Sequence, residues 1–429
     1  MGLGIGLIPA VQATRSDPQR GLQQSSRGTA SGITRNSLVV VEVALALVLL
    51  VGSGLLLRSL QRLFRVDAGF DAGSLITMQV QTAGPKLSNA SATLQFFAGA
   101  LDAVQRVPGV QTAALTSQLP LSGKPDRYPV HFESAPTPAT DFESMAFAYG
   151  VTADYLTTMR IPLRSGRRLD ARDRRDAPIA VLLSESYAKR RFPGVSPIGQ
   201  RLRVGSNDGP WMTIVGVVGD VRQASLALDQ TDAVYIPSEQ WRNARSGGTA
   251  RAMSLVVRST ADPATLVPAI KSAIWSVDRD QPIMRVATME GLLEASAAER
   301  RFVLVVFEAF ALVALMLAAA GIYGVLSGSV TERTREIGIR TALGASRATI
   351  LALVIRKGMV LTMLGVVIGI AGAVAASQAI VTLLFGVERV DALTYAGVVG
   401  LLVIVAGIAC WIPASRAARV DPTVALRAD

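Results

Sequence analysis

The sequence predicts an α-helical membrane protein with four transmembrane helices and one large inserted α/β (α+β) domain outside the membrane. Composition is the first observation: 50% of the 429 residues are hydrophobic and only 17% are charged, with a mean hydropathy of +0.39. A soluble chain carries about 25% charged residues. The second is four stretches that reach the roughly 20 apolar residues a bilayer crossing needs, at 38–57, 302–327, 358–385 and 393–413. The third is their uneven spacing, with 58–301 lying between the first two. Disorder is excluded as the main state, because it needs low hydrophobicity. Cys410 is the single cysteine, so no disulfide forms within the chain. His131 is the single histidine, which leaves no metal site of His and Cys ligands.

Residues 1–37 contain Ile8-Pro9-Ala10-Val11-Gln12-Ala13-Thr14-Arg15-Ser16-Asp17-Pro18, and the end of the chain contains Ile412-Pro413-Ala414-Ser415-Arg416-Ala417-Ala418-Arg419-Val420-Asp421-Pro422. Pro, Ala, Ala, Arg, Asp and Pro recur at the same spacing. The later copy closes a membrane span, so 1–37 is expected to be the cytoplasmic tail of a preceding, similar module. The first span, 38–57, is apolar apart from Glu42, and the second, 302–327, apart from Glu308. An ionisable group at such depth is a functional candidate, although a position near a span end also allows snorkelling or pairing with arginine. The third and fourth spans carry no charge. Gly324-x-x-x-Gly328 and Gly365-x-x-x-Gly369 permit close helix packing. Tyr395 and Trp411 fit an interfacial aromatic belt.

Arginine and lysine in the short links set the orientation. Residues 1–37, the 328–357 link and the 414–429 tail are rich in them, whereas 386–392 carries Arg389 beside Glu388 and Asp391. Both termini and the 328–357 link are therefore expected in the cytoplasm, and 58–301 in the extracytoplasmic space. Arg58, Arg62 and Arg65 run against this mildly, but long domains cross regardless of charge. Of the net charge of +11, residues 58–301 hold +6, from 29 Lys and Arg against 23 Asp and Glu, and the rest sits in the cytoplasmic segments, so it reads as a topology signal plus a solvated basic surface and not as nucleic-acid binding.

Within 58–301 the pattern is mixed. Leu75–Val80 alternates as a strand, Thr93–Val107 has helical period, and Val110–Thr116 is a second strand. The order returns in Ala252–Arg258, Pro263–Val277 and Ile283–Ala287. Two strand–helix–strand units predict a split ferredoxin-like layer, with an inserted subdomain over about 120–250. In that insertion, Trp211–Val218 reads as a strand and Glu185–Phe192 as a helix. Arg58–Phe70 and Glu290–Arg301 are expected to extend the adjoining spans as a stalk. His131, in a proline-bordered segment, is expected at the surface.

Catalytic signatures are missing from the sequence. A phosphate-cradling loop needs G-x-x-x-x-G-K-[ST]. Of five lysines only Lys271 precedes Ser or Thr, and Ile270 stands where glycine is required. No G-x-S-x-G elbow and no Ser-His-Asp constellation can be assembled. The expectation is a non-catalytic chain with no cofactor or metal of its own.

The 328–357 link is the most specific segment. It begins charged, then carries small apolar residues, and Gly344 followed by Ser346 marks one helix ending and another being capped. Here Glu332-Arg333-Thr334-Arg335-Glu336-Ile337-Gly338-Ile339-Arg340-Thr341-Ala342-Leu343-Gly344-Ala345 resembles the FtsX-like, MacB-like permeases of ABC transporters. Gly166-Arg167, Pro197-Ile198-Gly199, Val215–Asp220 and the Pro413–Arg427 ending are similar to that family too. The doubled ending resembles a subgroup with two permease modules in one chain. The resemblance implies an FtsX-like domain over 302–422 and a MacB-like periplasmic core domain over 58–301, in a multi-pass inner-membrane protein that is dimeric or pseudo-dimeric. It implies a separate ATP-binding subunit, which carries ATP-Mg and docks on the link. Arg333, Glu336, Gly338, Arg340 and Gly344 are then the coupling candidates. Its work would be export or remodelling at the outer face, by mechanotransmission. A membrane-anchored binding or scaffold protein without energy coupling is the alternative.

Overall fold

The computed structural model describes residues 27–123, 126–134, 144–206, 208–229, 231–241, 251–332, 336, 339–340, 343, 346–381 and 384–418. The whole of the earlier repeat copy and most of the surrounding 1–37 segment lie outside them, as do Arg419 to Asp429. In chain order the helices are α1 (Arg27–Leu63), α2 (Ala90–Gln105), α3 (Tyr155–Thr158), α4 (Glu185–Arg191), α5 (Pro263–Val277), α6 (Met289–Ser296), α7 (Ala298–Glu332), α8 (Arg347–Ser377) and α9 (Ala392–Ala417). The strands are β1 (Leu75–Gln81), β2 (Val110–Thr116), β3 (Arg127–Phe132), β4 (Met145–Val151), β5 (Leu163–Gly166), β6 (Ala180–Ser184), β7 (Arg201–Val204), β8 (Met212–Val218), β9 (Ala233–Pro237), β10 (Ala252–Ser259) and β11 (Ile283–Thr288). Two compact units result: Met1–Gln61 with Arg300–Asp429, and Arg62–Glu299.

The first unit contains four helices long and apolar enough to cross a membrane. Lipid offers no partner to a free backbone N–H or C=O, so an isolated apolar crossing is helical. Half of the apolar window of α1 is buried, against 22–28% for α7, α8 and α9. Thus α1 is the most enclosed helix, and Val43, Leu47 and Leu55 enter the common core with Ile322, Val366 and Leu402.

The helices outrun the predicted spans. At about 1.5 Å per residue, 31 to 37 residues reach roughly 46–55 Å, well beyond a hydrocarbon core of about 30 Å. Their charged ends, such as Arg356 and Lys357 in α8, are helical without needing to enter lipid. The third span also ends earlier than predicted, at Ser377 instead of Phe385. The chain then turns, with Gly386 at φ +64°. Tyr395 is buried in the helix core, which removes it from the predicted aromatic belt, whereas Trp411 is exposed.

Of the predicted packing glycines, Gly365 and Gly369 lie against α1. A Cβ at Gly365 would fall 2.7 Å from that of Val43, and one at Gly369 would fall 3.0 Å from that of Leu47 and 3.1 Å from the Ala44 Cα. Gly328 faces the Arg35 guanidinium instead of helix backbone. Gly324 has open space within 4 Å, so among the described residues it packs no helix. The face it shares with exposed Leu317 and Ala320 points away from the core.

The second unit confirms the layer predicted from the two strand–helix–strand segments. Its strands run β11-β1-β10-β2, every pair antiparallel, with β1 and β10 in register from Leu75↔Arg258 to Gln81↔Ala252. This is the ferredoxin-like order. Helices α2 and α5 cover one face, where Phe96, Phe97, Ile270 and Ile274 meet Met78 and Val257. Asn89 caps α2 and Asp262 caps α5, each accepting a hydrogen bond from a backbone N–H two or three residues on.

The inserted subdomain holds a feature that local pattern did not reveal. Strands β4-β3-β7-β8-β6-β9 form a closed circuit, because β9 pairs β4 in parallel. Alternate side chains, among them Val130, Ala148, Val181, Leu202, Ile214 and Ile236, fill its interior. Closure leaves these strands with no free edge. His131 is buried, contrary to expectation, at 6% exposure. It lies on β3 opposite Arg203 of β7, so it belongs to a paired strand of the sheet and not to the surface segment that its flanking prolines suggested.

Arg258 ties layer and insertion together. It is 3% exposed, and it donates to the backbone carbonyls of Thr158, Gly73 and Asp71, each at 2.8 Å. The Asp71 carboxylate accepts from the Gly73 N–H and pairs with Arg160 and Arg258. Burial raises the Asp71 pKa, but the Gly73 hydrogen bond and the two arginines outweigh it and hold the carboxyl below its ordinary value.

Two outcomes are expected. Gly369→Leu should destabilise the detergent-solubilised protein by about 1–3 kcal/mol through overpacking, whereas Gly324→Leu should stay within about 0.5 kcal/mol; thermal unfolding of both variants checks this. Because the folded Asp71 pKa is depressed, its stabilising effect is present above the unfolded value near 3.9 and is lost as pH falls through the folded value. Asp71→Asn should therefore show a shallower loss of stability below about pH 4 than the parent in an acid titration.

Candidate functional site

The predicted coupling residues sit in the link between α7 and α8. Glu336 and Arg340 are one helical turn apart and form an ion pair at 2.6 Å, each side chain about half exposed. Glutamate four residues before its cation is the favourable order on a helix. Arg333, Gly338 and Gly344 lie outside the described residues. Ser346 caps α8 as its position implied, accepting from the Thr349 N–H at 3.2 Å.

Sequence reasoning passed over two apolar side chains in this link. Ile339 is 45% exposed and Leu343 82%, and the Leu343 N–H donates to the Ile339 carbonyl at 3.0 Å. They are a helical turn apart, like the ion pair beside them. Large apolar groups held out in a charged segment are the kind that a partner's pocket takes up. The signal in the sequence was the same 3.6-residue spacing, read there only as small apolar residues.

The link continues into helices whose ends are pinned to α1. At one end, Arg35 of α1 donates to the Val325 carbonyl of α7 at 3.4 Å and lies 4.0 Å from the Glu332 carboxylate. At the other, Arg58 of α1 pairs with Asp391, which caps α9 by accepting from the Thr394 N–H and hydroxyl. The neighbouring Ser59 hydroxyl accepts from the Phe385 N–H at 2.8 Å. Arg58, the residue that ran against the charge rule, is thus half-buried in an ion pair with the 386–392 segment.

The two intramembrane acids have different settings. Glu42 of α1 is partly buried against Gly321 of α7, and its Oε2 has no hydrogen-bond partner among the described residues. Glu308 of α7 is exposed, on the face that also carries Phe302, Val305 and Leu312. The structure does not bring the two acids together in one site. Among the described residues no three His, Cys, Asp or Glu side chains cluster to hold a metal.

Comparison with known proteins fits this layout. A profile described as the MacB-like periplasmic core domain matches residues 37–273, and one described as the FtsX-like permease C-terminal domain matches 308–422. The chain belongs to the MacB-like permease family. The macrolide export ATP-binding/permease protein MacB of Mannheimia succiniciproducens is 28% identical over 291 residues, 65% of this chain and 42% of that protein. The ABC transporter permease YknZ of Bacillus subtilis is 27% identical over 289 residues, 66% of this chain and 70% of that protein. This chain therefore spans less than half the length of that MacB and matches its permease portion. The crystallised periplasmic region of MacB from Actinobacillus actinomycetemcomitans aligns over 55% of this chain and 97% of its own, at 15% identity and a TM-score of 0.38. The extracellular domain of YknZ aligns over 49% and 100%, at 12% identity and 0.32.

The Arg58–Asp391 pair separates charge from capping. Arg58→Ala and Asp391→Asn should cost similar amounts, about 1–2 kcal/mol for a partly buried pair, because asparagine keeps the cap. Asp391→Ala should cost about 1 kcal/mol more. Unfolding of the three variants in detergent checks the ranking.

Proposed function

We propose that this chain is the permease subunit of an ABC exporter, driven by ATP hydrolysis in a separate ATP-binding subunit. The observation that carries the reading is the link: Ile339 and Leu343 stand exposed beside the Glu336–Arg340 pair. The apolar pair supplies buried contact to a docking partner, and the charges fix its register. Arg333, Gly338 and Gly344 belong to the same run of sequence and are proposed with them as coupling residues.

In this reading ATP-Mg stays in the partner, and the permease supplies the moving part. Both termini and the 328–357 link face the cytoplasm, and 58–301 lies outside the inner membrane. Partner dimerisation would displace the link, and with it the ends of α7 and α8. The ion pairs at Arg35 and Arg58 give that motion a route to α1 and α9. Two permease modules, as a dimer or pseudo-dimer, would match a dimeric motor. One relative is named for macrolide export and another as a probable syringafactin exporter, so the names do not point to one cargo, and the proposed work at the outer face is export or remodelling.

A charge swap, Glu336→Arg with Arg340→Glu, tests the docking surface. It keeps an ion pair within the link, and reversing the order costs only about 0.2–0.5 kcal/mol. The swapped protein should insert and melt like the parent yet lose ATP-dependent function and its ATP-binding partner. Leu343→Asp should do the same. Full ATP-dependent activity in the stably inserted swap would overturn this reading.

A further inference from the structure

We propose that the Arg62–Glu299 unit carries an oxyanion site, in the wedge between the ferredoxin-like sheet and the inserted subdomain, and that its ligand presents a phosphate group. This site is separate from the link and does not depend on ATP coupling. The wedge is a cavity of about 330 Å³. Arg160, Arg168 and Arg258 line it with Thr112 and Thr157, and among the described residues no carboxylate lines it.

The residues come from both parts of the unit. Arg258 of β10 and Thr112 of β2 are direct register partners, on the sheet face away from α2 and α5. Arg160 follows α3 of the insertion, and Arg168 follows β5. Arg258 is fixed by its three carbonyl acceptors. Arg168 donates to the Thr157 hydroxyl at 3.1 Å and has no carboxylate within 4 Å among the described residues. The Thr112 hydroxyl is buried and has no hydrogen-bond partner among them. A buried hydroxyl without a partner is costly, and an oxyanion acceptor would satisfy it.

Arg160 adds an independent observation. Its φ is +56°, in the turn that ends α3, where its N–H donates to Thr157 and the Ile161 N–H to Leu156. Glycine is the unstrained residue at such a helix end. An arginine there keeps its side chain at a backbone cost, and strain of this kind collects at functional positions. Asp71 pairs with Arg160 and Arg258, but one carboxylate against three guanidinium groups leaves an excess of two positive charges. That excess matches a phosphate dianion better than a single carboxylate, and guanidinium is the cation suited to it. The cavity exceeds one phosphate group, so the phosphate arrives on a larger molecule, either a lipid headgroup or a soluble phosphate ester.

Thermal unfolding of the intact protein in a neutral detergent tests the site. Inorganic phosphate and short-chain phosphatidic acid are the probes, and chloride and short-chain phosphatidylcholine at matched ionic strength are the controls. The expected result is a melting temperature raised by a phosphate probe above its control. A rise with inorganic phosphate points to a soluble ligand, and a rise with phosphatidic acid alone points to a lipid. Arg160→Gly with Arg168→Gln should melt close to the parent in chloride, because the strain relieved at position 160 offsets the lost exposed pair with Asp71, yet need at least about tenfold more probe for the same shift. Thr112→Val keeps shape and strand preference and should show a smaller loss, which reads the site even if the double variant folds poorly. No shift above the controls in the parent, or equal shifts in parent and variants, would overturn the proposal.

Discussion

The membrane unit depends on how α1 is held. It is the most enclosed of the four helices, and its two ends are fixed by charge in places where uncompensated charge is expensive. Arg35 takes the Val325 carbonyl and approaches Glu332, while Arg58 takes the carboxylate that also caps α9. Between these ends the contacts are nonpolar and close. Gly365 and Gly369 let α8 approach the α1 backbone within van der Waals distance. In lipid, where apolar burial alone does little to join helices, close packing and polar ties at the ends decide the arrangement. A movement imposed on α7 or α8 from the link therefore has few ways to avoid α1.

The Arg62–Glu299 unit solves a different problem, that of joining two folding patterns in one sheet. The ferredoxin-like layer leaves one sheet face without helices, and α3 of the insertion packs there against β2 and β10. Arg258 crosses that junction with backbone acceptors on both sides. A guanidinium buried this way is not exchangeable for an ammonium, because its planar donors are matched to several carbonyls at once. The same wedge collects Arg160 and Arg168, so the joint between the two parts also holds a recess lined by three arginines.

Much of this was legible in the sequence, for identifiable reasons. Apolar length gave the four crossings, because the bilayer imposes one requirement on every span. Strand–helix–strand order gave the ferredoxin-like layer, because period 2 and period 3.6 are local signals. Helix ends were harder: α8 begins at Arg347, and hydropathy registers Arg356 and Lys357 as loop although they are helical. The closed circuit of β3, β4, β6, β7, β8 and β9 depends on a parallel pairing of β4 with β9, from Phe147↔Ala233 to Val151↔Pro237, which no local pattern encodes. The place of His131 is hidden in the sequence because its strand partner, Arg203 of β7, lies far along the chain, and that of Tyr395 because an aromatic near a span end can face either way. In the link the charged candidates were legible, but the exposure of Ile339 and Leu343 is a property of the folded surface. The pairing of Arg58 with Asp391 joins positions 333 apart and was visible only as two isolated charges.

Under the proposed function a separate motor works on this permease through the α7–α8 link. The most direct measurement is mass spectrometry of the intact protein, gently solubilised and captured from its native membranes, with quantification of every co-purifying chain. A stoichiometric ATP-binding subunit is expected in each preparation, with ATPase activity in the captured complex. Repeated captures that retain other complexes but contain no ATP-binding subunit would contradict the proposed function.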